Sequence, residues 1–368
     1  MDLTLPILVL GTILLIHLTF VNINIGLGFY SFILRWRSLS NIEVVKPARK
    51  VFKFLAASEV VSGVYGTMIT VVLAGFWPTL MNIAAIILFI PLLISIIGII
   101  VRLTFIAAYW YTWDKVQPKI HLVIGLMMAL SGLMIPAGFR YIFAFIDNPV
   151  GLISLNPISG NPLEALTNPV YPPLLLHTWF GALSIGLLAA AAGLAWSSKT
   201  DKTIEKWSAY AGLLGGLMII PQGLTGFLFW STLSFHSPYL FNSMNKSFLP
   251  TGYTLTDVSH TFLGMVLLAI IILTLGVIHY YQPTKRWIAY SLAPMAIASL
   301  IFGEITHDIG RLPYMVITGE TGIPMETFIN RLLIIESTLV FSVVAVILFF
   351  TLIFIALLYL YLVKGILE

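Results

Sequence analysis

Long apolar runs are the feature of this sequence that most restricts its fold. Uncharged stretches of about 20 residues or more recur along the chain, and such a run can satisfy its backbone hydrogen bonds in lipid only as a helix. The composition agrees, because 59% of the 368 residues are hydrophobic and 9% are charged, with a mean hydropathy of +1.00. These values lie outside the range of soluble globular domains, and the runs lack the alternating pattern of a membrane barrel. The sequence therefore predicts an all-α integral membrane protein.

The apolar runs predict about nine transmembrane helices in a single transmembrane helical domain that covers residues 1–368. The first four helices lie within residues 1–146 and the remaining five within residues 171–363. Their predicted bounds are roughly 5–34, 54–76, 80–113, 119–146, 171–196, 206–232, 256–281, 287–308 and 328–363. The first run has no basic segment before it and is too long for a cleaved signal peptide, so we expect it to be a true membrane span.

Basic residues mark alternate loops of this predicted bundle. They lie between spans one and two, three and four, five and six, and seven and eight, and at the C-terminus: Arg35, Arg37, Lys46, Arg49, Lys50, Lys53, Lys115, Lys119, Lys199, Lys202, Lys206, Lys285, Arg286 and Lys364. Such loops stay in the cytoplasm, so we expect the N-terminus outside, the C-terminus in the cytoplasm, and a multi-pass protein of the cell (plasma) membrane. These loops also account for the pI near 9.1, which therefore implies contact with the lipid bilayer and no nucleic-acid partner.

The chain has no cysteine and seven histidines. The lack of cysteine excludes disulfides, thiolate-bound metals and thiol nucleophiles, so a metal would have to be held by histidine, methionine or carboxylate. His121 and His279 lie at the cytoplasmic ends of predicted helices, where we expect solvated side chains. His236 lies in an outer loop and receives no role. The other four histidines lie within predicted spans or at their outer ends.

Two of these histidines lie at similar depth below the outer surface. His177 is about one and a half turns into span five, behind Pro172-Pro173, and His260 is about one turn into span seven. Histidine inside a bilayer is costly and usually faces a partner, so the pair could hold one metal or haem iron from opposite sides. The alternative is that each side chain makes an ordinary hydrogen bond in the bundle, for example to Thr178 or Ser259.

His17 lies near the middle of span one, in the run LLIHLTFVNINIGLGF. A histidine at that depth suits a proton relay or a metal ligand, and the alternative is a hydrogen-bonded core histidine. A second polar group ends span eight, where Glu304, His307, Asp308 and Arg311 follow an apolar run. Glu304 and His307 share one helix face at i and i+3, a spacing that suits a shared metal or a carboxylate that orients an imidazole.

Three motifs in these regions resemble subunit I of the cytochrome bd-type quinol oxidases. His17 followed by Gly26 resembles the family's ligand of a high-spin haem. Leu176-His177-Thr178 resembles the ligand of its low-spin haem b, and Gly310-Arg311-Leu312-Pro313-Tyr314 is similar to its Gly-Arg-Gln-Pro-Trp signature. Two loop segments also resemble the family: Trp113-Asp114-Lys115 and Asp147-Asn148-Pro149. The predicted spans and their orientation match that subunit as well.

The resemblance implies a haem-bearing subunit of a terminal oxidase. It would pass electrons from membrane quinol or another donor through a low-spin haem b to a high-spin site, with haem b, haem d or both, that reduces dioxygen to water. On this interpretation His17 and His177 ligate haem iron, and Glu304 and Arg311 are the candidate catalytic residues. Together with His307 they would contact a haem, Arg311 through a propionate or a neighbouring aspartate. The expected partner is a second oxidase subunit, either subunit II or a paralogue similar to subunit I.

The sequence departs from the family pattern at its haem ligands. The position that matches the family's second low-spin ligand, a methionine, holds His260, which implies bis-histidine ligation and a lower haem potential. The position of its high-spin glutamate ligand holds Ile301, and Glu304 is the nearest carboxylate, one turn away. The resemblance therefore implies His260 as a further iron ligand and Glu304 as a candidate substitute.

The proton and quinol parts of the family pattern also differ. The positions of two proton-carrying glutamates in span three hold Ile94 and Arg102, so that route is lost. Because a buried arginine is costly, we expect Arg102 to have a partner such as Glu336 in span nine. The long hydrophilic quinol loop is reduced to roughly Ser231–Leu255, which is rich in aromatic residues and nearly uncharged. Quinol oxidation by the family's usual loop is therefore unsupported.

Two other functions remain open on the sequence. The chain fits a degenerate copy of subunit I that serves as the structural partner of a catalytic paralogue, with few or no active haems, because several family residues are lost. Retention of His17, His177 and Arg311 argues against that alternative. A transporter that uses Glu336, Arg102 and Asp308 as ion sites has only intramembrane charge in its favour.

Overall fold

The computed structural model describes residues 4–197, 201–249, 256–329 and 337–360. Its helices are α1 (Thr4–Arg37), α2 (Val45–Phe76), α3 (Pro78–Ile86), α4 (Phe89–Tyr111), α5 (Pro118–Asp147), α6 (Pro162–Ala165), α7 (Tyr171–Ser197), α8 (Lys202–Leu217), α9 (Ile219–His236), α10 (Pro238–Asn245), α11 (Ser259–Tyr281), α12 (Arg286–Ile309) and α13 (Ser337–Leu358). Two antiparallel hairpins lie in the loops: β1 (Leu152–Leu155) with β2 (Ile158–Gly160), and β3 (Tyr314–Thr318) with β4 (Thr321–Pro324).

Eight helical segments of the described chain are long and apolar enough to cross a membrane. They contain α1, α2, α4, α5, α7, α8 with α9, α11, and α12. The prediction of a multi-pass helical membrane protein is therefore confirmed. The ninth predicted span overlaps α13, while residues 330–336 and 361–368 lie outside the described residues. The count of nine and the orientation of the two termini stay predictions.

Two predicted spans are interrupted, and each break lies three or four residues before a proline. Span three consists of α3 and α4, which are separated at Ile87-Leu88, and span six consists of α8 and α9, which are separated at Met218. Pro91 has no N–H to donate to the carbonyl of Ile87, and Pro221 has none for Leu217. A run of apolar residues predicted the membrane crossing in both cases but not the break within it.

The bundle has one basic face, which carries the last turn of α1 with Arg35 and Arg37. Both hairpins belong to loops at the opposite ends of the helices, after α5 and after α12. The β3–β4 hairpin closes through Gly319-Glu320, where Gly319 has a φ of 74° that glycine adopts at little cost. Apolar patterning gave no sign of these short strands.

Close packing between α1 and α7 sets the relative position of two candidate ligands. A Cβ on Gly26 would lie 2.6 Å from the Cα of Gly186, so the two backbones approach more closely than any larger residue permits. Gly26, which follows His17 in the first family-like motif, is therefore a packing residue. The contact joins the helix that carries His17 to the helix that carries His177.

Candidate functional site

A cavity of about 970 Å³ lies among α1, α2, α4, α5 and α12. Its volume is at the upper end of the range of about 300–1,000 Å³ for ligand pockets, so a bulky cofactor fits by size. Most of its lining is apolar, and two groups of polar side chains interrupt it. The His17 group consists of His17, Asn24, Glu59, Ser62 and Arg102, and the Glu304 group consists of Arg140, Glu304, Asp308 and Arg311.

The imidazole of His17 is fixed by one hydrogen bond and one glycine. Its Nδ1 lies 2.8 Å from the carbonyl oxygen of Ser62. Because a carbonyl only accepts, Nδ1 carries the proton and Nε2 keeps its lone pair in the neutral ring. Gly66 lies against the ring, since a Cβ there would be 2.9 Å from Cε1. His17 lines the cavity, and no hydrogen bond to its Nε2 occurs among the described residues, so this nitrogen is available to a ligand.

His177 has the same arrangement on a different pair of helices. Its Nδ1 lies 3.0 Å from the carbonyl oxygen of Gln222 in α9, which again leaves the lone pair on Nε2. Gly226 lies against this ring, because a Cβ there would be 2.8 Å from Nδ1. Both imidazoles therefore have the tautomer and the fixed orientation that metal-ligating histidines adopt.

His260 differs from the two buried rings. It is the second residue of α11, because that helix begins at Ser259 rather than near Thr256 as predicted. Its side chain is exposed, and its ring centroid lies 5.9 Å from that of Phe248. Residues 250–255, between Phe248 and the helix, lie outside the described part of the chain. Ligation of one haem by His177 and His260 stays a prediction.

Glu304 is buried and incompletely hydrogen-bonded. Its Oε1 lies 3.6 Å from Nη2 of Arg140 in α5, and both side chains are 9% exposed. Its Oε2 is buried and has no hydrogen-bond partner among the described residues. A carboxylate oxygen left in this state is costly unless it meets a cation or a proton donor. Sequence reasoning overlooked Arg140, although an arginine within span four was a visible sign of it.

An ionic cluster that shares Asp308 and Arg311 with the Glu304 group corrects one prediction. Nε2 of His307 lies 2.7 Å from Oδ2 of Asp147, so Asp147 and not Glu304 is the carboxylate that orients this imidazole. Arg311 donates to Oδ1 of Asp147 at 3.2 Å and to Asp308 at 2.5 Å. The predicted pairing of Arg311 with a neighbouring aspartate is thus present. Within the described residues, no three histidine or carboxylate side chains form a site for a bare metal ion.

Arg102 is paired as expected, but with a different carboxylate. Its Nε lies 3.1 Å from each carboxylate oxygen of Glu59 in α2. Its Nη1 and Nη2 each donate at 3.0 Å to a backbone carbonyl, those of Met128 and Asn24. The suggested partner Glu336 lies outside the described residues. Glu59 was visible in the sequence as a lone carboxylate within span two, which is itself a sign of function.

The two histidines expected to be solvated are buried instead. His121 is 0% exposed, accepts from Nε of Arg35 at 3.1 Å, and donates from Nε2 to the carbonyl of Tyr109 at 3.0 Å. His279 is also 0% exposed, and its Nε2 lies 3.1 Å from the hydroxyl of Ser208. Neighbouring helices cover both rings, a packing effect that position along a single span does not reveal.

Comparison with known proteins gives a family match and a fold match. A family model described as cytochrome bd terminal oxidase subunit I matches residues 8–251. Among solved structures, the chain is similar to a chain of the bd oxidase from Geobacillus thermodenitrificans, with 16% identity, a TM-score of 0.82 and 99% coverage of both chains. At that identity the structural match shows the fold alone. No curated protein sequence matches the chain. His17 and His177 lie within the matched family region, whereas His260, Glu304 and Arg311 follow it.

Proposed function

Because the chain belongs to the family of cytochrome bd terminal oxidase subunit I, we propose that it is a haem-bearing subunit of such an oxidase. It would take electrons from membrane quinol or another donor through a low-spin haem b and deliver them to a high-spin site that reduces dioxygen to water. The observation that carries the proposal is the pair of imidazoles His17 and His177. Each has Nδ1 held by a backbone carbonyl and a glycine against the ring, and within the described part of the chain neither Nε2 has a hydrogen-bond partner.

The donor set suits haem better than a bare ion. Haem iron needs one or two axial ligands from the protein, which single histidines on separate helices can supply. His177 would hold the low-spin haem, with His260 as its second ligand, and His17 would hold a high-spin haem, b or d, in the cavity. Bound haem would supply one-electron transfer and an open iron position for dioxygen.

Glu304 is the candidate for a further contact with the high-spin group. Glu304 lines a cavity wide enough for a cofactor, its Oε2 has no hydrogen-bond partner among the described residues, and the nearby Arg140 balances its charge. Arg140 and Arg311 both line the cavity, and arginine pairs well with the carboxylates that a haem carries. These residues would fix the cofactor's orientation and exclude water from its edge.

The chain would work with a second membrane subunit, either subunit II or a paralogue similar to subunit I. Exposed apolar side chains cover much of α4, among them Leu93, Ile96, Ile97 and Ile100. Lipid or a partner helix satisfies such a face equally well, so the family membership carries this part of the proposal.

Visible spectroscopy of the purified protein tests the proposal. A reduced-minus-oxidised spectrum with a haem count per chain should show low-spin haem and a high-spin centre that responds to carbon monoxide. His177→Ala should remove the low-spin signal and His17→Ala should alter the high-spin one, while His236→Ala in the exposed end of α9 serves as the matched control. Wild-type spectra from both variants would refute the ligand assignment, and a chain without haem would be a structural partner of a catalytic paralogue.

A further inference from the structure

The ion pair between Glu59 and Arg102 has no part in the haem-binding function proposed above. Both residues line the cavity, and their side chains are 15% and 2% exposed. Charged groups at membrane depth are costly and are retained mainly where they serve ion or proton movement. The pair lies in the same polar group as His17, because Ser62, whose carbonyl holds the His17 ring, is one turn from Glu59 on α2.

One stripe of α1 connects this pair with the basic face. The polar or small residues at positions 17, 24, 28, 31 and 35 recur at intervals of three, four or seven, so they share one side of the helix. With a rise of 1.5 Å per residue, the distance from Arg35 to His17 is about 27 Å. The stripe therefore spans most of the distance from the basic face to the cavity.

Buried polar partners accompany the stripe on neighbouring helices. Near the basic face, His121 and Tyr109 contact Arg35 and Ser31, with the two hydroxyls of Ser31 and Tyr109 3.5 Å apart. The next position of the stripe is Gly28. The guanidinium of Arg102 lies against it, since a Cβ on Gly28 would be 3.6 Å from Nη1 of Arg102.

The stripe continues from there to the cavity. The amide of Asn24 accepts from the hydroxyl of Ser58 and donates to the hydroxyl of Ser62 at 2.9 Å. Ser62 in turn provides the carbonyl that fixes His17. Polar side chains thus follow α1 from its basic end to the His17 group.

Contacts beyond Glu59 hold Arg102 in position. Its Nε–H lies 3.1 Å from each carboxylate oxygen of Glu59. Its two Nη groups donate to the backbone carbonyls of Met128 and Asn24. These two carbonyls fix the guanidinium on the wall of the cavity beside the carboxylate, so Arg102 is placed to position Glu59.

We infer that Glu59 is a proton-accepting carboxylate that delivers protons from the basic, cytoplasmic face to the cavity at His17, with Arg102 as its positioning residue. The inference rests on the proposed function, because reduction of dioxygen to water consumes one proton for each electron that the quinol or other donor supplies. A proton would bind a carboxylate oxygen of Glu59 from the cytoplasmic side and leave it toward the oxygen being reduced. The glutamate then returns to its charged form.

Groups from α4, α1 and α5 surround the ion pair of Glu59 and Arg102. Arg102 approaches Glu59 from α4, and the backbone carbonyl of Asn24 in α1 accepts from the same guanidinium. From α5, the carbonyl of Met128 binds Arg102 and also accepts from the hydroxyl of Ser131. His17 lies further along the wall of the cavity.

The test uses the assembled oxidase, with its partner subunit, in lipid vesicles. Glu59→Gln keeps an oxygen that accepts from Arg102 but carries no titratable proton, Glu59→Asp restores the carboxylate, and Glu43→Gln changes an exposed carboxylate at the same face. A pH-indicating dye on the side of the basic loops measures proton uptake after oxygen is mixed with the reduced protein. Glu59→Gln should slow uptake by roughly a hundredfold, with partial rescue in Glu59→Asp and no change in Glu43→Gln.

Two spectra separate the possible failures. If Glu59→Gln shows the wild-type visible spectrum and the wild-type rate of proton uptake, the inference is overturned while the haem function stands. If the wild-type protein binds no haem, the proposed function fails and the inference fails with it. Infrared difference spectra need no turnover: a protonated carboxyl band should appear on reduction in wild type and in Glu43→Gln, and be missing in Glu59→Gln. Lack of that band in wild type also overturns the inference.

Discussion

A single methyl group placed on Gly66 tests how the His17 ring is held. A Cβ at this position would lie 2.9 Å from Cε1 and 3.3 Å from Nδ1 of His17, which is too close for carbon. The ring would have to move away from α2, and the bond from Nδ1 to the carbonyl of Ser62 would weaken. Gly66→Ala is therefore expected to disturb the imidazole without touching any other candidate ligand.

The size of the effect follows from three contributions. Overpacking costs about 1–3 kcal/mol, and loss of one hydrogen bond costs about 1 kcal/mol. Alanine is the better helix former and offsets about 1 kcal/mol of this. Gly66→Ala should therefore lower the free energy of unfolding by about 1–3 kcal/mol and shift the high-spin part of the visible spectrum.

The chain provides a matched control one turn away on the same helix. A Cβ on Gly63 would meet nothing within 4 Å, so Gly63→Ala should raise stability by up to about 1 kcal/mol and leave the spectrum unchanged. Thermal unfolding in detergent and the visible spectrum, recorded for both variants, make the comparison. Equal stabilities and equal spectra for Gly66→Ala and Gly63→Ala would refute the packing of His17 described above.

Three further predictions concern the other candidate residues. Gly226→Ala should disturb the low-spin signal, because its Cβ would lie 2.8 Å from Nδ1 of His177, whereas Gly223→Ala meets nothing within 4 Å and should not; identical low-spin spectra would contradict this. Glu304→Ala should change the high-spin spectrum alone, and an unchanged spectrum would show that this helix supplies no ligand. Hydrogen bonds from Ser247 and Ser259 lower the pKa of Asp257 to about 2. The charged Asp257 side chain therefore stabilises the start of α11 fully above its ordinary pKa of 3.8, and this stabilisation is lost as the pH falls through about 2. Hydrogen exchange of the first α11 amides should show that loss in wild type but not in Asp257→Asn.

The sequence was sufficient for the eight membrane spans of the described chain and for the placement of His17 and His177 within helices. Apolar runs report contact with lipid directly, so the helical bundle followed from them. The depth of His177 was also correct, because α7 begins at Tyr171, the residue that the Pro172-Pro173 pair suggested. The breaks at Met218 and Ile87 were missed, although the prolines that cause them were visible in the sequence.

The partners of the buried charges could not be predicted from a single sequence. His307 and Asp147 are 160 positions apart, and their pairing depends on which helices are neighbours. The same applies to Arg102, for which the sequence suggested Glu336, whereas the packing of α1, α2 and α4 pairs it with Glu59. An apolar helix face packs equally well against lipid and against protein, so the pattern that predicts each span does not indicate which helices are its neighbours.

Helix α1 connects the electron-transfer and proton-transfer parts of the proposed function. Its contact with α7 at Gly26 and Gly186 fixes the helix of His17 relative to that of His177, and so the relative position of the two proposed haems. Its polar stripe carries His17 at one end and Arg35 at the other, beside Glu59 and its partners. A displacement of α1 would therefore change the haem spectra and proton uptake together, whereas Glu59→Gln should slow proton uptake, and with it the reduction of dioxygen, while the haem spectra stay unchanged. That difference distinguishes a damaged bundle from a blocked proton path.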